Sequence, residues 1–483
     1  MGAGVIINGV NSLRFLKPFL CALIACLSGV TATAAESRPP NIVIIFADDL
    51  GYGDLGCYGH PNIRTPHLDR MAAEGMRFTE FYSAAEVCTP SRAALLTGRY
   101  PIRSGMCHDQ FRVLRSRSLG QLPDSEITLA EALKAKGYTT GAIGKWHLGV
   151  PQFNPGGHPR KHGFDFYFGL PHSNDMDPTP LAPRGAGKLA EQMAEWWNAP
   201  LYRDDQIIER PADQTTLTRR YTDEAVKFIQ ANKAKSFFLY FPHTFPHTPL
   251  FASKDFVGKS PRGIYGDVVE ELDASVGKVL DTLRQENLAE NTLVFFTSDN
   301  GPWLIMNEQG GSAGLLREGK GSTWEGGMRV PGIAWWPGKI KAAQTQRTLA
   351  CTMDLFTTSL KLAGAEVPSD RAIDGLDIRP LLFGTGTVSR DAYFYYRGTR
   401  LMAARAGDFK AHFMTQAAYG QPKHEEHTPP LLFNLKVDAS ETFNVATNHA
   451  AVLNQITAAV EKHKAALKPA PSQLLDLAPP GKP

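Results

Sequence analysis

Short runs of apolar, β-branched residues alternate along the chain with longer segments in which apolar residues recur at helical spacing. Runs of the first kind predict buried strands, and segments of the second kind predict amphipathic helices. The predicted strands cover 41–48, 138–146, 237–241, 293–299 and 332–336, and the helices between them include 65–74, 129–136, 216–231 and 267–286. Such alternation is typical of an α/β fold with a large, mostly parallel sheet flanked by helices.

After about residue 377 the pattern changes to shorter segments joined by turns. Residues 391–397, 400–413 and 431–437 are predicted as strands, and residues 450–466 as one helix. This order predicts a small antiparallel C-terminal sheet with a helix. We therefore expect a large domain over residues 36–380 and a small α+β subdomain over residues 381–483 that ends in a Pro-rich tail.

The first 35 residues have the pattern of a secretory signal. Their only charges are Arg14 and Lys17, an apolar run follows over residues 18–30, and small residues occupy positions 31–35. The run is too short to span about 30 Å of hydrocarbon, so it predicts a cleaved signal peptide and not an anchor. Because residues 23–26 also resemble a lipobox, a lipoprotein is the alternative. The absence of Asn-x-Ser/Thr sequons favours a periplasmic or secreted bacterial protein.

Charge and cysteine content narrow the function classes. The 483 residues carry 51 Lys and Arg against 48 Asp and Glu, so bulk charge excludes a strongly basic nucleic-acid-binding protein. Six cysteines are too few for a disulfide-built scaffold. No segment after the signal is apolar enough to cross a membrane, and no pattern predicts the oligomeric state.

Polar side chains follow the predicted strands and point to a site at one sheet edge. They are Asp48 and Asp49, Lys145 and His147, His243 and His247, and Asp299 and Asn300. Sites in open α/β sheets lie at the carboxyl ends of strands. Adjacent acids repel each other, and a divalent cation with hard oxygen ligands, Ca²⁺ or Mg²⁺, would neutralise them. Each pair taken alone would also suit an ordinary solvated turn.

The string Cys88-Thr-Pro-Ser-Arg92, followed by an Ala/Leu run, places a cysteine at a predicted helix N-terminus. The helix dipole and Arg92 would favour an anion there. A Cys–His hydrolase is one chemical interpretation, but it leaves the two acidic pairs unexplained. Together with those pairs, the string resembles the C-x-P-S-R motif of the sulfatases, and the resemblance extends over nearly the whole chain after residue 35.

Further segments carry the same resemblance. Residues 144–149 have the sequence G-K-W-H-L-G, and residues 319–327 match G-K-x-x-x-W-E-G-G. Residues 169–175 match more weakly a segment that supplies a serine, here Ser173. For the histidine of the H-x-P pattern, His247 fits better than His243. Segments at 353–360, 369–375 and 395–398 are similar to the arylsulfatase A and N-acetylgalactosamine-6-sulfatase branches of the family.

The resemblance implies an alkaline-phosphatase-like fold and a sulfuric ester hydrolase. Cys88 would be oxidised by a maturase to formylglycine (3-oxoalanine), and its hydrate would be the nucleophile. The implied Ca²⁺ ligands, favoured over Mg²⁺, are Asp48, Asp49, Asp299, Asn300 and the residue made from Cys88. Arg92, Lys145 and Lys320 would offset the charge of the sulfate. Lys145, Ser173, His247 and Lys320 would contact the substrate, a small sulfate ester or sulfated sugar, while His147 would act on the formylglycine.

Two other functions fit part of the pattern. Phosphonate and phosphate-diester hydrolases of the same superfamily can share a C-x-P-x-R nucleophile, although the two lysine motifs favour sulfate. A non-catalytic binder of sulfated glycans would have no need of Cys88. The sequence does not identify which sulfate ester is the substrate.

Overall fold

The computed structural model describes residues 1–2, 38–182, 193–418 and 423–479. The predicted export signal lies outside them apart from Met1 and Gly2, so it stays a prediction. The described residues from Arg38 onward form one compact unit. Within the described residues, none of the helices combines the length and apolarity that a bilayer-spanning segment requires.

A large mixed sheet forms the main body. The described residues give it eleven strands: β1 (Asn41–Ala47), β2 (Met76–Tyr82), β3 (Thr139–Ile143), β4 (Phe166–Gly169), β5 (Leu201–Arg203), β6 (Gln206–Glu209), β7 (Phe237–Pro242), β8 (Thr292–Ser298), β9 (Arg329–Trp335), β10 (Gln344–Gln346) and β11 (Ala350–Cys351). Their order is β10-β2-β9-β8-β1-β7-β3-β4-β5-β6, and β11 also pairs with β2. The central strands from β8 to β4 are parallel, whereas β9, β5 and β6 pair antiparallel with their neighbours.

Helices cover both faces of this sheet, as the fold-class prediction required. The helices of the described residues are α1 (Pro66–Glu74), α2 (Cys88–Thr97), α3 (Pro101–Ser104), α4 (Leu129–Lys134), α5 (Leu217–Ala231), α6 (Gly263–Gln285), α7 (Glu325–Met328), α8 (Thr352–Leu362), α9 (Arg379–Phe383) and α10 (Ala450–Ala466), of which α10 packs on the second sheet. Alternate residues of β1 enter different cores: Val43 and Ile45 pack in the core that contains α1, α5 and α6, while Ile42 and Ile44 pack with α2, α4 and α8. The period-2 geometry of a strand explains this division.

A second, antiparallel sheet follows, also as predicted. Its described strands are β12 (Tyr393–Arg397), β13 (Arg400–Ala406), β14 (Phe409–Thr415) and β15 (Glu425–Asn434), and α10 packs against them. The prediction of one strand over 400–413 was wrong. Gly407 adopts a φ of 55°, a left-handed conformation that suits glycine, and the chain turns back there into a hairpin. The limits of the two domains stay predictions.

The register of the central strands aligns the segments that follow them. Ala47 at the end of β1 pairs with Ser298 at the end of β8, and Phe46 pairs with Pro242 at the end of β7. Hydrogen bonds continue past the strands, because Asp299 N donates to Ala47 O and Lys145 N donates to Pro242 O. The polar residues after four strands therefore meet at one edge.

Candidate active site

Cys88 is the first residue of α2. Val87 before it is extended, and the whole of α2 is buried. The Cys88 thiol lies 3.7 Å from Asp48 Oδ1. Burial raises the pKa of the thiol, against the opposing effect of Lys145 and Lys320. An unmodified Cys88 is therefore protonated at neutral pH, which does not favour a thiolate nucleophile.

Arg92, one turn further along α2, joins the two acidic segments. Its guanidinium contacts Asp48 Oδ2 at 3.0 Å and Asp299 Oδ2 at 2.9 Å, and all three side chains are inaccessible to solvent. It also donates a 2.8 Å hydrogen bond to Lys145 O. Burial lowers the pKa of Arg92, but Asp299 and Asp48 more than compensate, so the arginine stays charged.

Two lysines supply further positive charge. Lys145 Nζ pairs with Asp48 and donates to Ser173 Oγ at 3.1 Å. Lys320 Nζ lies 2.8 Å from Asp49. Although burial opposes it, the charges of Lys145 and Arg92 hold the pKa of Asp48 below its usual range. Burial raises the pKa of Asp49 to about 7, with Lys320 opposing and Asp48 adding to the rise.

His147 has one ring nitrogen fixed and the other open. It is buried, with a φ of 61°, and its Nε2 lies 2.8 Å from Leu114 O. Because a carbonyl can only accept, Nε2 carries the proton, and Nδ1 presents a lone pair with no hydrogen-bond partner among the described residues. Burial lowers the pKa of His147 well below its ordinary value, which keeps this lone pair available.

His247 contacts the cluster, whereas His243 does not share those contacts. His247 Nε2 lies 3.7 Å from Asp49 Oδ2 and 3.4 Å from Ser173 Oγ, and its Nδ1 donates to Thr248 O at 2.5 Å. The ring of His243 packs against Phe241 at 4.3 Å, and neither of its nitrogens has a hydrogen-bond partner in the described structure. This geometry favours His247, the histidine that the H-x-P pattern also favours.

The residues present fit a hard divalent cation. Ligand atoms of Asp48, Asp49, Cys88 and His247 lie within 4.8 Å of one another. Asn300 Nδ2 donates to Asp49 Oδ1 at 2.8 Å, which leaves the buried Asn300 Oδ1 without a partner among the described residues. Asp299 Oδ1 accepts a 3.2 Å hydrogen bond from Asp49 N. An unpaired buried oxygen beside crowded carboxylates is the donor set that Ca²⁺ and Mg²⁺ prefer.

Two residues at the site carried no role in the sequence prediction. Asp175 follows Ser173 in the loop after β4, and its Oδ1 is buried without a partner in the described structure. Burial raises the pKa of this carboxyl, opposed by Lys145 and Lys320. The Trp303 ring lies 4.4 Å from Lys320 Nζ and 5.3 Å from the ring of His247. The positions of Asp175 and Trp303 depend on the conformation of loops. The pattern of apolar and polar residues does not predict loop conformation.

Comparisons with known proteins show which proteins the chain is similar to. A family model described as Sulfatase matches residues 40–365, and one described as the C-terminal region of aryl-sulfatase matches residues 388–482. The chain is 44% identical over 499 residues to N-acetylgalactosamine-6-sulfatase of Homo sapiens, covering 94% of this chain and 92% of that protein. It is 42% identical over 464 residues to arylsulfatase A of Homo sapiens, covering 90% and 89%. The crystal structure of PsFucS1 sulfatase from Pseudoalteromonas sp. aligns with a TM-score of 0.80 and 31% identity, covering 91% of this chain and 92% of that chain.

Proposed function

The chain belongs to the sulfatase family and is a sulfuric ester hydrolase, and we propose that it releases sulfate from sulfated sugars by means of an aldehyde made from Cys88. The observation that carries this proposal is the position of Cys88. It begins a buried helix, 3.7 Å from an Asp48 oxygen, in a cluster that contains Arg92, Lys145 and Lys320. Such a pocket suits a tetrahedral anion held against the residue that attacks it.

The proposed reaction also requires a maturation enzyme and a metal ion, which the chain does not supply. A maturase would oxidise Cys88 to formylglycine, whose hydrate supplies an oxygen nucleophile and a second hydroxyl. A Ca²⁺ ion, favoured over Mg²⁺, would be held by Asp48, Asp49, Asp299, Asn300 and the residue made from Cys88, and would supply Lewis acidity toward a sulfate oxygen. The unpaired Asn300 Oδ1 supports this ligand set.

The remaining residues have roles that follow from their charge and hydrogen bonds. Lys145, Lys320 and Arg92 would offset the negative charge of the sulfuryl group as it is transferred. Ser173, which accepts from Lys145, would orient a sulfate oxygen. His147 would accept a proton at Nδ1, the nitrogen left open by its bond to Leu114, when sulfate is released.

His247 is proposed to protonate the leaving alcohol from Nε2, because its Nδ1 already donates to Thr248 O. Burial, Lys320 and Lys145 hold the pKa of His247 well below its ordinary value in the free enzyme, so Nε2 carries no proton there. The ring would take up this proton from solvent when the anionic sulfate ester binds and its charge offsets the two lysines. The variant His247→Ala is expected to lower kcat by about 10²- to 10⁴-fold for a sugar sulfate, the range typical of a general acid. The loss should be smaller for a nitrophenyl sulfate, whose leaving group needs little protonation. Steady-state kinetics on both substrates measure the difference.

His243→Ala is the matched control, since it is a buried histidine four residues away that lacks the contacts with Asp49 and Ser173. We expect its kcat to stay within about tenfold of wild type on both substrates, because it removes no proton donor from the site. If His243→Ala lowered kcat more for the sugar sulfate than for the nitrophenyl sulfate, and His247→Ala hardly changed kcat, then His243 would be the general acid.

The substrate proposal is tested by a panel of sulfate esters. Relatives named N-acetylgalactosamine-6-sulfatase make a 6-sulfated N-acetylgalactosamine the first compound to assay. Sugars sulfated at other positions, an aryl sulfate and the matching aryl phosphonate complete the set. We expect sulfate release from at least one sugar and a preference for aryl sulfate over aryl phosphonate. A protein that carries the aldehyde and Ca²⁺ but is inert on every sulfate ester would overturn the proposal.

The location and the domain limits are also proposals. We infer an exported protein, periplasmic or secreted, from the signal pattern of residues 1–35, with a lipoprotein as the alternative. The match to the first family model ends at residue 365, and the match to the second begins at residue 388. A domain limit at residues 380 and 381 lies between them, which supports the division into residues 36–380 and 381–483.

A further inference from the structure

The loop over residues 319–327, which carries Lys320, is held from two sides. The large domain contacts its start, since Lys320 N donates to Pro302 O and Gly321 N donates to Glu86 O, both at 2.8 Å. The C-terminal subdomain contacts its later part. Lys410 Nζ on β14 donates to Thr323 O at 2.8 Å. The carboxylate of Glu441 accepts a 2.6 Å hydrogen bond from the backbone N–H of Glu325.

The two C-terminal contacts belong to one buried ionic network. Lys410 Nζ lies 3.0 Å from both Glu325 and Glu441, and all three side chains are fully buried. His412 Nε2 lies 2.6 Å from the same Glu441 oxygen that pairs with Lys410. Tyr82, which lies in the large domain as Glu325 does, donates to Glu325 at 2.6 Å. Every charge in the network therefore has an opposite charge or a hydrogen-bond donor beside it.

Burying these charges costs desolvation free energy, so a contribution to stability alone does not explain the network. Well-packed apolar residues often stabilise a protein as much as a buried ion pair does, whereas buried polar groups can specify one geometry. Glu441 adopts a φ of 53°, an uncommon backbone conformation for a side chain of this size. The surrounding contacts thus hold Glu441 where its carboxylate meets the Glu325 N–H.

We propose that Lys410 and Glu441 are positioning residues that fix the loop over residues 319–327 and thereby place Lys320 against Asp49. This inference rests on the role proposed above for Lys320 in binding sulfate. Arg397 on β12 adds to the same function, because its Nε donates to Gly321 O, the residue next to Lys320, at 3.0 Å. The C-terminal subdomain would therefore influence the reaction by positioning Lys320, a residue of the large domain.

The first test measures the loop without using activity. In Glu441→Gln the charge is removed while the shape is kept, and we expect backbone amide exchange in residues 321–327 to become about tenfold faster. Exchange in residues 88–97 of α2 should stay unchanged. Arg397→Met, at a partly exposed position, is the second variant if Glu441→Gln fails to fold. Unchanged loop exchange in a folded variant would overturn the proposal whatever the substrate is.

The second test asks whether the anchors act through Lys320. Glu441→Gln alone is expected to lower kcat/KM for an aryl sulfate by about 10- to 100-fold, as supporting residues of a site commonly do. In a Lys320→Ala background the same change should cost less than about threefold, because the residue it positions is already gone. Equal losses in both backgrounds would show a general structural role and overturn the proposal.

Asp374→Asn is the matched control for both tests. Asp374 forms a nearly buried ion pair with Arg103 at 2.9 Å and accepts a 2.8 Å hydrogen bond from Tyr100 N, beyond the end of α2 that lies opposite Cys88. Its kcat/KM should stay within about threefold of wild type, and its loop exchange should not change. Failure of the proposed function would give a different result. The wild-type protein would release no sulfate, or Lys320→Ala would not change the rate. The amide-exchange measurement on Glu441→Gln would still show whether Glu441 holds the loop.

Discussion

Replacement of Cys88 by alanine is expected to lower the rate of sulfate release by at least about 10³-fold, the scale on which the loss of a nucleophile acts. The side chain is buried at the start of α2, 3.7 Å from Asp48 Oδ1, where alanine would leave no nucleophilic atom. Turnover of an aryl sulfate by the purified variant measures the loss, and a thermal melt confirms that the variant is folded.

Two further variants separate chemistry from packing. Cys107→Ala removes another buried thiol, in the core between the large domain and the C-terminal sheet, and should change turnover by less than about threefold. Cys88→Ser keeps a hydroxyl that could accept one sulfuryl group but has no second hydroxyl to expel it. We expect Cys88→Ser to become sulfated without turning over. A Cys88→Ala variant with more than a tenth of wild-type activity would contradict the role.

Removal of divalent cations is the second change with a large expected effect. Asp48, Asp49 and Asp299 are crowded in a site closed to solvent, and a bound cation would relieve their repulsion. Treatment with a chelator is expected to lower turnover by at least about 10²-fold, and Ca²⁺ should restore it better than Mg²⁺. The melting temperature should rise with added Ca²⁺, by the equivalent of about 2.7 kcal/mol at a hundred times Kd.

Asn300→Ala tests the same site through a neutral ligand. It removes the unpaired Oδ1 without changing the charge of the cluster, so the Ca²⁺ concentration needed for half-maximal activity should rise by about tenfold or more. Asn232→Ala, at the end of α5, is the control and should not alter the Ca²⁺ dependence. Full activity in the presence of chelator, together with a melting temperature that does not change with added Ca²⁺, would contradict a metal site here.

The strand ends were predictable because the polar groups come at or just after short apolar, β-branched runs, the pattern that favours a buried strand. Asp48 follows β1 and Asp299 follows β8, and parallel pairing in register then brings them together. The position of Cys88 at a helix start was also predictable, since Thr-Pro-Ser precedes an Ala/Leu run. In these cases local pattern and tertiary contact agree, which is why the fold class was confirmed.

The other features of the fold and the site depend on contacts between segments that are distant in the sequence. A single sequence carries no periodic signal for such contacts. Lys410 and Glu441 approach Glu325 from more than 80 residues further along the chain. Residues 400–413 were interpreted as one strand because apolar residues are common on both sides of Gly407, where the chain turns. His243 and His247 follow the same strand, and only the path of the loop after β7 brings His247 to Asp49.

The most direct measurement of the central claim is the rate of sulfate release plotted against the fraction of Cys88 converted to the aldehyde. Preparations made with and without a co-expressed maturase supply different fractions, and mass spectrometry of the peptide containing Cys88 measures each one. We expect a straight line through the origin, because the turnover per converted molecule should be constant. Full turnover by protein whose Cys88 remains a thiol, or turnover that does not vary with the aldehyde fraction, would contradict it.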